Sequence, residues 1–231
     1  MCGRYSYTHT RDKIIKRFGI KVADNWKPRY NVAPSQEMMV ITNATPDKAS
    51  IFRWGFIPNW STDEKVGFNM INARAENILS KALFRESIRS KRCLIPADGF
   101  YEWKKSGKNK TPFRVTLSSD EAFSFAGIWD SWERKDGEII NTYSIITTSA
   151  NELMQELHDR MPVILPKDLE KDWLRQDLKD GDINDMLKQY DSRKMTFYEA
   201  HKSVNKPDYD TLECIQMAPK IYPGESYKLF E

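Results

Sequence analysis

The stretch FSFAGIWDSWERKDGEIINTYSIITT, residues 123–148, decides the fold of this chain. Two runs rich in aromatic and β-branched residues flank a short polar segment, RKDGE (134–138). Its Asp136-Gly137 pair favours the left-handed backbone conformations that a tight hairpin turn requires. The stretch therefore predicts two long antiparallel strands joined by a hairpin.

Runs of the same kind extend this pattern on both sides of the hairpin. They are MMVITN (38–43), ASIFRWGF (49–56), RCLIPADGFYEW (92–103), PFRVTLS (112–118) and MPVIL (161–165). The segment KKSGKNK (104–110) predicts a second hairpin turn. Because strands dominate the middle of the chain, we predict a curved, largely antiparallel, barrel-like β-sheet core.

Helical patterns occur before, between and after these strands. One covers Thr10–Phe18 and ends before Gly19, and the longest covers Ala73–Arg89 with an apolar stripe. Ser149 and Glu152 form a capping box that opens a helix in ANELMQEL (150–157). Short helices are expected around 169–174 and 183–190. We therefore predict an α+β fold with peripheral helices and one domain, residues 1–231.

The composition is that of a soluble globular protein. Of 231 residues, 40% are hydrophobic and 30% charged, and no apolar run approaches the roughly 20 residues that span a bilayer. The N-terminus lacks a secretory signal pattern. Three widely spaced cysteines, Cys2, Cys93 and Cys214, argue against a disulfide framework. We expect a cytoplasmic protein that has no membrane partner.

The net charge and the absence of common motifs limit the partners and cofactors that we expect. A net charge of +3 permits an anionic partner without requiring one. The sequence has no glycine-rich phosphate loop, no CxxC pair and no HExxH motif. A zinc site built from the three cysteines and three histidines is set aside, because no ligand pair has metal-type spacing. We expect no cofactor and no metal.

Polar residues interrupt apolar segments at four places. They are Asn72, Arg74 and Glu76 in NMINARAE, Glu102 in PADGFYEW, Thr147 and Thr148 in SIITTSAN, and His158, Asp159 and Arg160 in LHDRMPVIL. Each has a structural explanation on its own: Glu102 as a solvent-facing strand position, Asn72 as a cap, Arg160 as the partner of Asp159, and His158 as a structural histidine.

Together these segments resemble a known family. MCGRY (1–5), RYNVAPSQ (29–36), RWGFIPNW (53–60), NARAE (72–76), RCLIPADGFYEW (92–103), FAGIWDSW (125–132), TTSAN (147–151) and LHDRMPVIL (157–165) occur in the order typical of the SRAP family. These SOS response-associated peptidase proteins are abasic-site crosslinking and processing proteins. The resemblance runs from residue 2 to about residue 200 and implies the SRAP fold.

The resemblance makes Cys2 the nucleophile, and elementary chemistry agrees. Once Met1 is removed, Cys2 carries an amine and a thiol on adjacent carbons, and with an aldehyde these close a thiazolidine ring. An internal cysteine cannot do so, because its nitrogen is an amide. The natural aldehyde is the ring-opened sugar of an abasic site in DNA. We expect Arg4 to assist by lowering the pKa of the thiol.

The resemblance also assigns roles to other residues. Glu102 shuttles protons, His158 helps to open the sugar ring, Asn72 orients the sugar or the reacting terminus, and Thr147 supports that network. Arg4, Arg74 and Arg160 hold flanking phosphates. Trp54 and Trp103 stack on bases or shape the floor of the site, and Pro34 wedges beside the damaged nucleotide.

The expected protein is a monomeric enzyme that crosslinks to abasic sites in single-stranded DNA, with peptidase-like exposure of Cys2 and hydrolase- and lyase-type activities. Two alternatives remain open. A thiol peptidase would use Cys2, Glu102 and His158 on proteins in trans, whereas a non-catalytic DNA-binding module would use only the arginines and tryptophans. The segment 201–231 carries no interpretable motif, and Cys214 is expected to be structural.

Overall fold

The hairpin at residues 123–148 closes a barrel in the computed structural model, which describes residues 2–219. Within this range the strands are β1 (Tyr5–Tyr7), β2 (Arg29–Val32), β3 (Glu37–Thr42), β4 (Thr45–Trp54), β5 (Asn72–Arg74), β6 (Arg92–Ala97), β7 (Gly99–Ser106), β8 (Asn109–Leu117), β9 (Phe123–Glu133), β10 (Ile139–Ser149), β11 (Arg160–Pro162), β12 (Ile164–Leu165) and β13 (Met195–Glu199). The helices are α1 (Arg11–Phe18), α2 (Ser87–Ser90), α3 (Glu152–Gln155), α4 (Glu170–Trp173) and α5 (Asp180–Met186).

The barrel has five strands, in the order β10-β4-β3-β6-β9, and closes where β9 pairs with β10. Its pairs are antiparallel except for β10 with β4, which run parallel with Tyr143 opposite Trp54. Strand β9 also pairs with β6 along its N-terminal half. The hairpin prediction is confirmed, with Glu133 opposite Ile139 and Gly137 at a φ of 88°.

A second sheet packs against this barrel, with the strand order β13-β8-β7-β1-β2. Tyr5 in β1 reaches the barrel interior, where its hydroxyl lies 2.7 Å from that of Tyr143. Its ring contacts Trp54 and Phe125 edge-on, at 5.2 and 5.8 Å between centroids. This buried aromatic contact fixes β1, and therefore Cys2 just before it, against the barrel. The predicted α+β fold with a barrel-like core in one domain is confirmed.

The predicted long helix over Ala73–Arg89 is wrong. Residues 72–74 form β5 instead, which pairs parallel to β10, and short turns lead to the four-residue helix α2. Of the apolar residues that suggested a helical stripe, Ile78 and Ile88 are buried, Leu79 and Leu83 are half-buried, and Ala82 is exposed. Here strand pairing with β10 outweighs local helix propensity, which is a weak preference.

The helix ends were predicted with mixed success. Helix α1 ends at Phe18, followed by Gly19 in the left-handed conformation, as expected. The predicted capping box of Ser149 is wrong, because the cap of α3 is Asn151, whose side chain accepts from the backbone N–H of Met154. No helix within residues 2–219 combines the length and apolar character needed to cross a membrane.

The segment between β4 and β5 depends on two facing glycines. Gly55 has a φ of 132°, and a Cβ placed on it would lie 2.7 Å from the backbone oxygen of Gly67. This close approach of two backbones sets the path that brings the chain to β5. Alanine has no room here and disfavours this φ.

We predict that Gly55→Ala lowers the free energy of unfolding by about 1–3 kcal/mol, because backbone atoms cannot move aside as a flexible side chain can. Urea unfolding followed by fluorescence measures the change. Gly181→Ala is the matched control, since a Cβ at this position in α5 meets nothing within 4 Å. It should leave stability unchanged or raise it by up to about 1 kcal/mol. An unchanged unfolding midpoint for Gly55→Ala would contradict this account.

Candidate active site

Cys2 lies in the protein interior directly before β1, and its side chain is 0% exposed. Asn72, the first residue of β5, donates from Nδ2 to the backbone oxygen of Cys2 at 2.9 Å. The Cys2 Sγ lies 3.9 Å from the backbone oxygen of Arg4. Cys2 and Asn72 are 70 positions apart in the sequence. They meet because β1 positions Cys2 and the pairing of β5 with β10 positions Asn72.

The thiol of Cys2 is held in its protonated form. Burial, reinforced by the negative charge of Glu102, raises the pKa of Cys2 to about 12. The expectation that Arg4 lowers this pKa is wrong, because the Arg4 guanidinium is directed elsewhere. It donates from Nη1 to Asn31 Oδ1 and to the backbone oxygen of Val204, both at 2.8 Å.

Glu102 is a buried carboxyl group on β7, only 6% exposed. This burial excludes the alternative of a solvent-facing strand position. Burial raises the pKa of Glu102, and the electrostatic attraction of His158 opposes the rise. A raised pKa makes a carboxylate a stronger base than an exposed one, which suits a group that accepts a proton.

His158 stands between α3 and β11 and has a partner for each protonation state. As a neutral ring its Nδ1 accepts from the backbone N–H of Arg160 at 2.9 Å, which places the proton on Nε2. As an imidazolium the same Nδ1 donates to Asp159 Oδ1, 2.7 Å away. The two contacts require opposite roles of Nδ1, so they alternate rather than coexist.

A cleft of about 380 Å³ opens beside these groups. Its lining residues are Arg4, Glu102, Trp103, Lys105, Lys110, His158 and Asn205. A larger cavity of about 600 Å³ lies between α1, α4 and the outer face of β3 and β6, and it contains none of the predicted site residues. The smaller cleft is therefore the candidate site, because the chemistry-bearing residues converge there.

Arg74, Arg160 and Thr147 lie side by side at the end of β10. Thr147 is opposite Arg74 in the parallel register, and its backbone oxygen accepts from Arg160 Nη2 at 2.7 Å. Arg160 also forms a bidentate ion pair with Glu76, at 2.5 and 3.0 Å. Asp159 is therefore not the ion-pair partner of Arg160. Arg74 is exposed.

The two tryptophans occupy different environments. Trp54 is 1% exposed and stacks on Tyr143 inside the barrel, which argues against base stacking and leaves a role in shaping the floor. Trp103 is half-buried in the cleft, where its Nε1 donates to Asn205 Oδ1 at 2.7 Å and the Arg4 guanidinium lies over its ring. Pro34 is half-buried in the turn between β2 and β3.

One wall of the cleft comes from a segment for which no sequence motif was found. Asn31 Nδ2 donates to the backbone oxygens of Lys206 and Tyr209, at 3.0 and 2.7 Å. Asp210 in turn accepts from the backbone N–H groups of Tyr30 and Asn31. These bonds position the segment so that Asn205 accepts a hydrogen bond from Trp103. Asn31 belongs to the RYNVAPSQ motif, but its carbonyl partners have no sequence signature.

Cys214 is 0% exposed and packs in a small cluster with Tyr101 of β7. Its burial agrees with the expected structural role. Within residues 2–219, no three His, Cys, Asp or Glu side chains converge as a metal site. Residues 220–231 and Met1 lie outside the described residues, so the expectations for Met1 removal and for the end of the chain stay predictions.

The chain is thus an α+β protein built on a barrel, with a buried cysteine three residues before its first strand. The family described as SOS response associated peptidase (SRAP) matches residues 1–207, and this chain belongs to it. A structure of a Bacteroides thetaiotaomicron protein is similar, with a TM-score of 0.87 and 33% identity, covering 94% of this chain and all of that one.

Two named proteins are similar to this chain over most of its length. The abasic site processing protein YoqW of Bacillus subtilis (strain 168) is 44% identical over 222 residues, which cover 94% of this chain and 99% of the relative. The abasic site processing protein HMCES of Xenopus tropicalis is 28% identical over 262 residues, covering 93% of this chain and 78% of the relative.

The raised pKa of Glu102 predicts a pH-dependent effect on stability. In the unfolded chain this carboxyl group titrates near 4.3, so below about pH 4.3 it is protonated in both states. As the pH rises through the higher folded value, the wild type must bury a charge and loses stability. We predict that Glu102→Gln matches the wild type in acid and becomes the more stable protein toward neutral pH. Urea titrations across this range measure it, and a difference independent of pH would contradict the burial argument.

Proposed function

We propose that this chain captures abasic sites in single-stranded DNA as a covalent crosslink through Cys2. The observation that supports this most directly is that Asn72 holds the carbonyl of a buried cysteine while Glu102 interacts electrostatically with its thiol and shares a cleft with His158. The relatives YoqW and HMCES are named abasic site processing proteins, which agrees with that substrate. One chain supplies every group of the reaction, so we propose a monomer as the acting unit.

The proposed reaction begins with a free amine on Cys2, produced by hydrolysis of the Met1–Cys2 peptide bond with consumption of one water. The amine attacks the aldehyde carbon of the opened sugar, and the carbonyl oxygen leaves as water to give an imine. The thiol sulfur then adds to the imine carbon while its proton leaves for a base, and the imine nitrogen, which receives the C=N electron pair, takes up a proton. The product is a thiazolidine, and the condensation releases one water in all.

Glu102 is the base that best fits the last step. The thiol is protonated, with its pKa raised to about 12, so ring closure needs a nearby group to take the proton. Glu102 interacts electrostatically with this thiol and lines the cleft. His158, which also lines the cleft, donates to the sugar ring oxygen as the aldehyde forms. General acid–base groups of this kind typically contribute about 10²–10⁴-fold.

Asn72 positions the reacting groups. Its Nδ2 holds the Cys2 carbonyl, while its buried Oδ1 has no hydrogen-bond partner among residues 2–219. A buried acceptor without a partner is costly, so a ligand hydroxyl that donates to it is favoured. We propose that a hydroxyl of the opened sugar fills this role.

Ring closure explains why a crosslink protects the DNA. An imine at the sugar activates the adjacent carbon for β-elimination, which breaks the strand. A thiazolidine has no imine, so the strand stays intact. Arg74 is exposed beside the site, Arg160 exchanges Glu76 for a phosphate, and Trp103 offers a ring face to a neighbouring base.

We predict that the mature protein forms a denaturant-resistant adduct with single-stranded DNA bearing one abasic site, and that Cys2→Ser does not form the stable thiazolidine. Denaturing electrophoresis detects the adduct, and its intact mass should equal protein plus DNA less one water. Cys214→Ser is the matched control and should retain the adduct, because an internal cysteine has no free amine. Wild-type levels of stable adduct from Cys2→Ser would contradict the proposed mechanism.

We predict different signatures for the three polar residues. Glu102→Ala and His158→Ala should each slow crosslinking by about 10²–10⁴-fold and alter its pH profile, with affinity for undamaged DNA retained. Asn72→Ala should slow the reaction while the shape of the pH profile is kept, because an amide transfers no proton. Glu133→Ala, at an exposed carboxylate on β9, serves as the control. Wild-type rates for Glu102→Ala across neutral pH would remove it from the proton shuttle.

A further inference from the structure

The hairpin of β7 and β8 carries four lysines, Lys104, Lys105, Lys108 and Lys110, and only two of them line the cleft. Lys105 and Lys110 are direct partners across the two strands, so their side chains leave the same face of the sheet. Lys104 alternates to the other face, and Lys108 sits in the turn. The pair belongs to the same face as Trp103, which is opposite Pro112.

Two like charges directly opposite each other are unfavourable for a hairpin, because their Cβ atoms are about 4.5–5.5 Å apart. A carboxylate would relieve the repulsion, yet none is in place. Within residues 2–219, the lysines that have a carboxylate oxygen within 4.0 Å are Lys91 and Lys188. The Lys105–Lys110 pair therefore keeps an uncompensated positive charge at the edge of the cleft.

The rest of the cleft reinforces this positive charge. Arg4 adds a third cation, and the carboxyl group that lines the cleft is Glu102, whose pKa burial raises. The Trp103 ring is held in place from one side by Asn205 and from above by Arg4. A rigid aromatic face beside paired lysines suits a strand in which bases and phosphates alternate.

We infer that Lys105 and Lys110 together bind one phosphodiester of the single strand that enters the cleft. This site rests on the proposed function and extends it away from the reacting sugar. Three residues of extended strand separate Glu102 from Lys105, a span of about 10 Å. The bound phosphate is therefore one beyond the reacting nucleotide, and it sets the direction in which the strand leaves the cleft.

The test is a salt titration of binding to a fluorescent, undamaged oligothymidine, using the full chain. Each phosphate contact on a single strand contributes about 0.7 to the slope of log affinity against log salt. The double variant Lys105→Gln, Lys110→Gln should lower the slope by about 0.7. Lys104→Gln, Lys108→Gln removes the same charge from the same hairpin and should keep the wild-type slope.

A charge-preserving variant, Lys105→Arg, Lys110→Arg, should also keep the wild-type slope. Equal losses in both glutamine variants would mean a diffuse effect of net charge and would overturn the site. An unchanged slope in Lys105→Gln, Lys110→Gln would overturn it as well, including the case in which the hairpin binds an acidic peptide instead.

This titration is independent of the crosslinking chemistry, so the two proposals can fail separately. If the wild type forms no adduct with abasic DNA but the Lys105→Gln, Lys110→Gln variant loses 0.7 of slope, the crosslinking proposal fails and the phosphate site stands. If the adduct forms and the two glutamine variants bind alike, crosslinking stands and the phosphate site fails.

Discussion

The parallel pairing of β5 with β10 is the interaction on which the site depends. It places Asn72 opposite Ile145 and so within hydrogen-bonding distance of the Cys2 carbonyl, while Arg74 comes to lie beside Thr147. Strand β10 is also where the barrel closes against β9. The position of Cys2 is thus tied to a strand that pairs with β4, β5, β9 and β11, and a rigid scaffold holds a site in register better than a loop does.

The same arrangement places ionisable groups where water cannot easily stabilise their charge. The thiol of Cys2 and the carboxyl of Glu102 both have raised pKa values because they are buried, and the negative charge of Glu102 further disfavours ionisation of the thiol. A chain selected only for stability would replace such groups with apolar ones. Perturbed groups of this kind concentrate at functional sites, where stability is lost in favour of chemistry. A protonated thiol also stays unreactive until a base takes its proton.

Local patterns predicted the strands and hairpins well, because an Asp-Gly turn and β-branched runs act over a few residues. They failed at 73–89, where Ala73 and Arg74 pair with β10 and the buried Ile78 and Ile88 mimic a helical stripe. The meeting of Cys2 with Asn72 came only from the family resemblance, since no local rule joins residues that far apart. Neither the local patterns nor the family resemblance predicted the cleft wall at 202–210. Asn31 holds this segment by donating to backbone carbonyls, which any sequence provides.

The ion pair of Arg160 with Glu76 bears on the phosphate-binding role that we propose for this arginine, because it holds the guanidinium in place in the absence of DNA. Both Nη atoms contact Glu76, and Nη2 also donates to the Thr147 backbone. The Glu76 side chain is 50% exposed, whereas that of Arg160 is 12% exposed, so the carboxylate is the partner that can turn into solvent. In the proposed function a phosphate takes the place of Glu76, because it accepts from the same guanidinium face. The bond from Arg160 to the Thr147 backbone does not involve Glu76, so this proposed exchange leaves the guanidinium oriented beside Arg74.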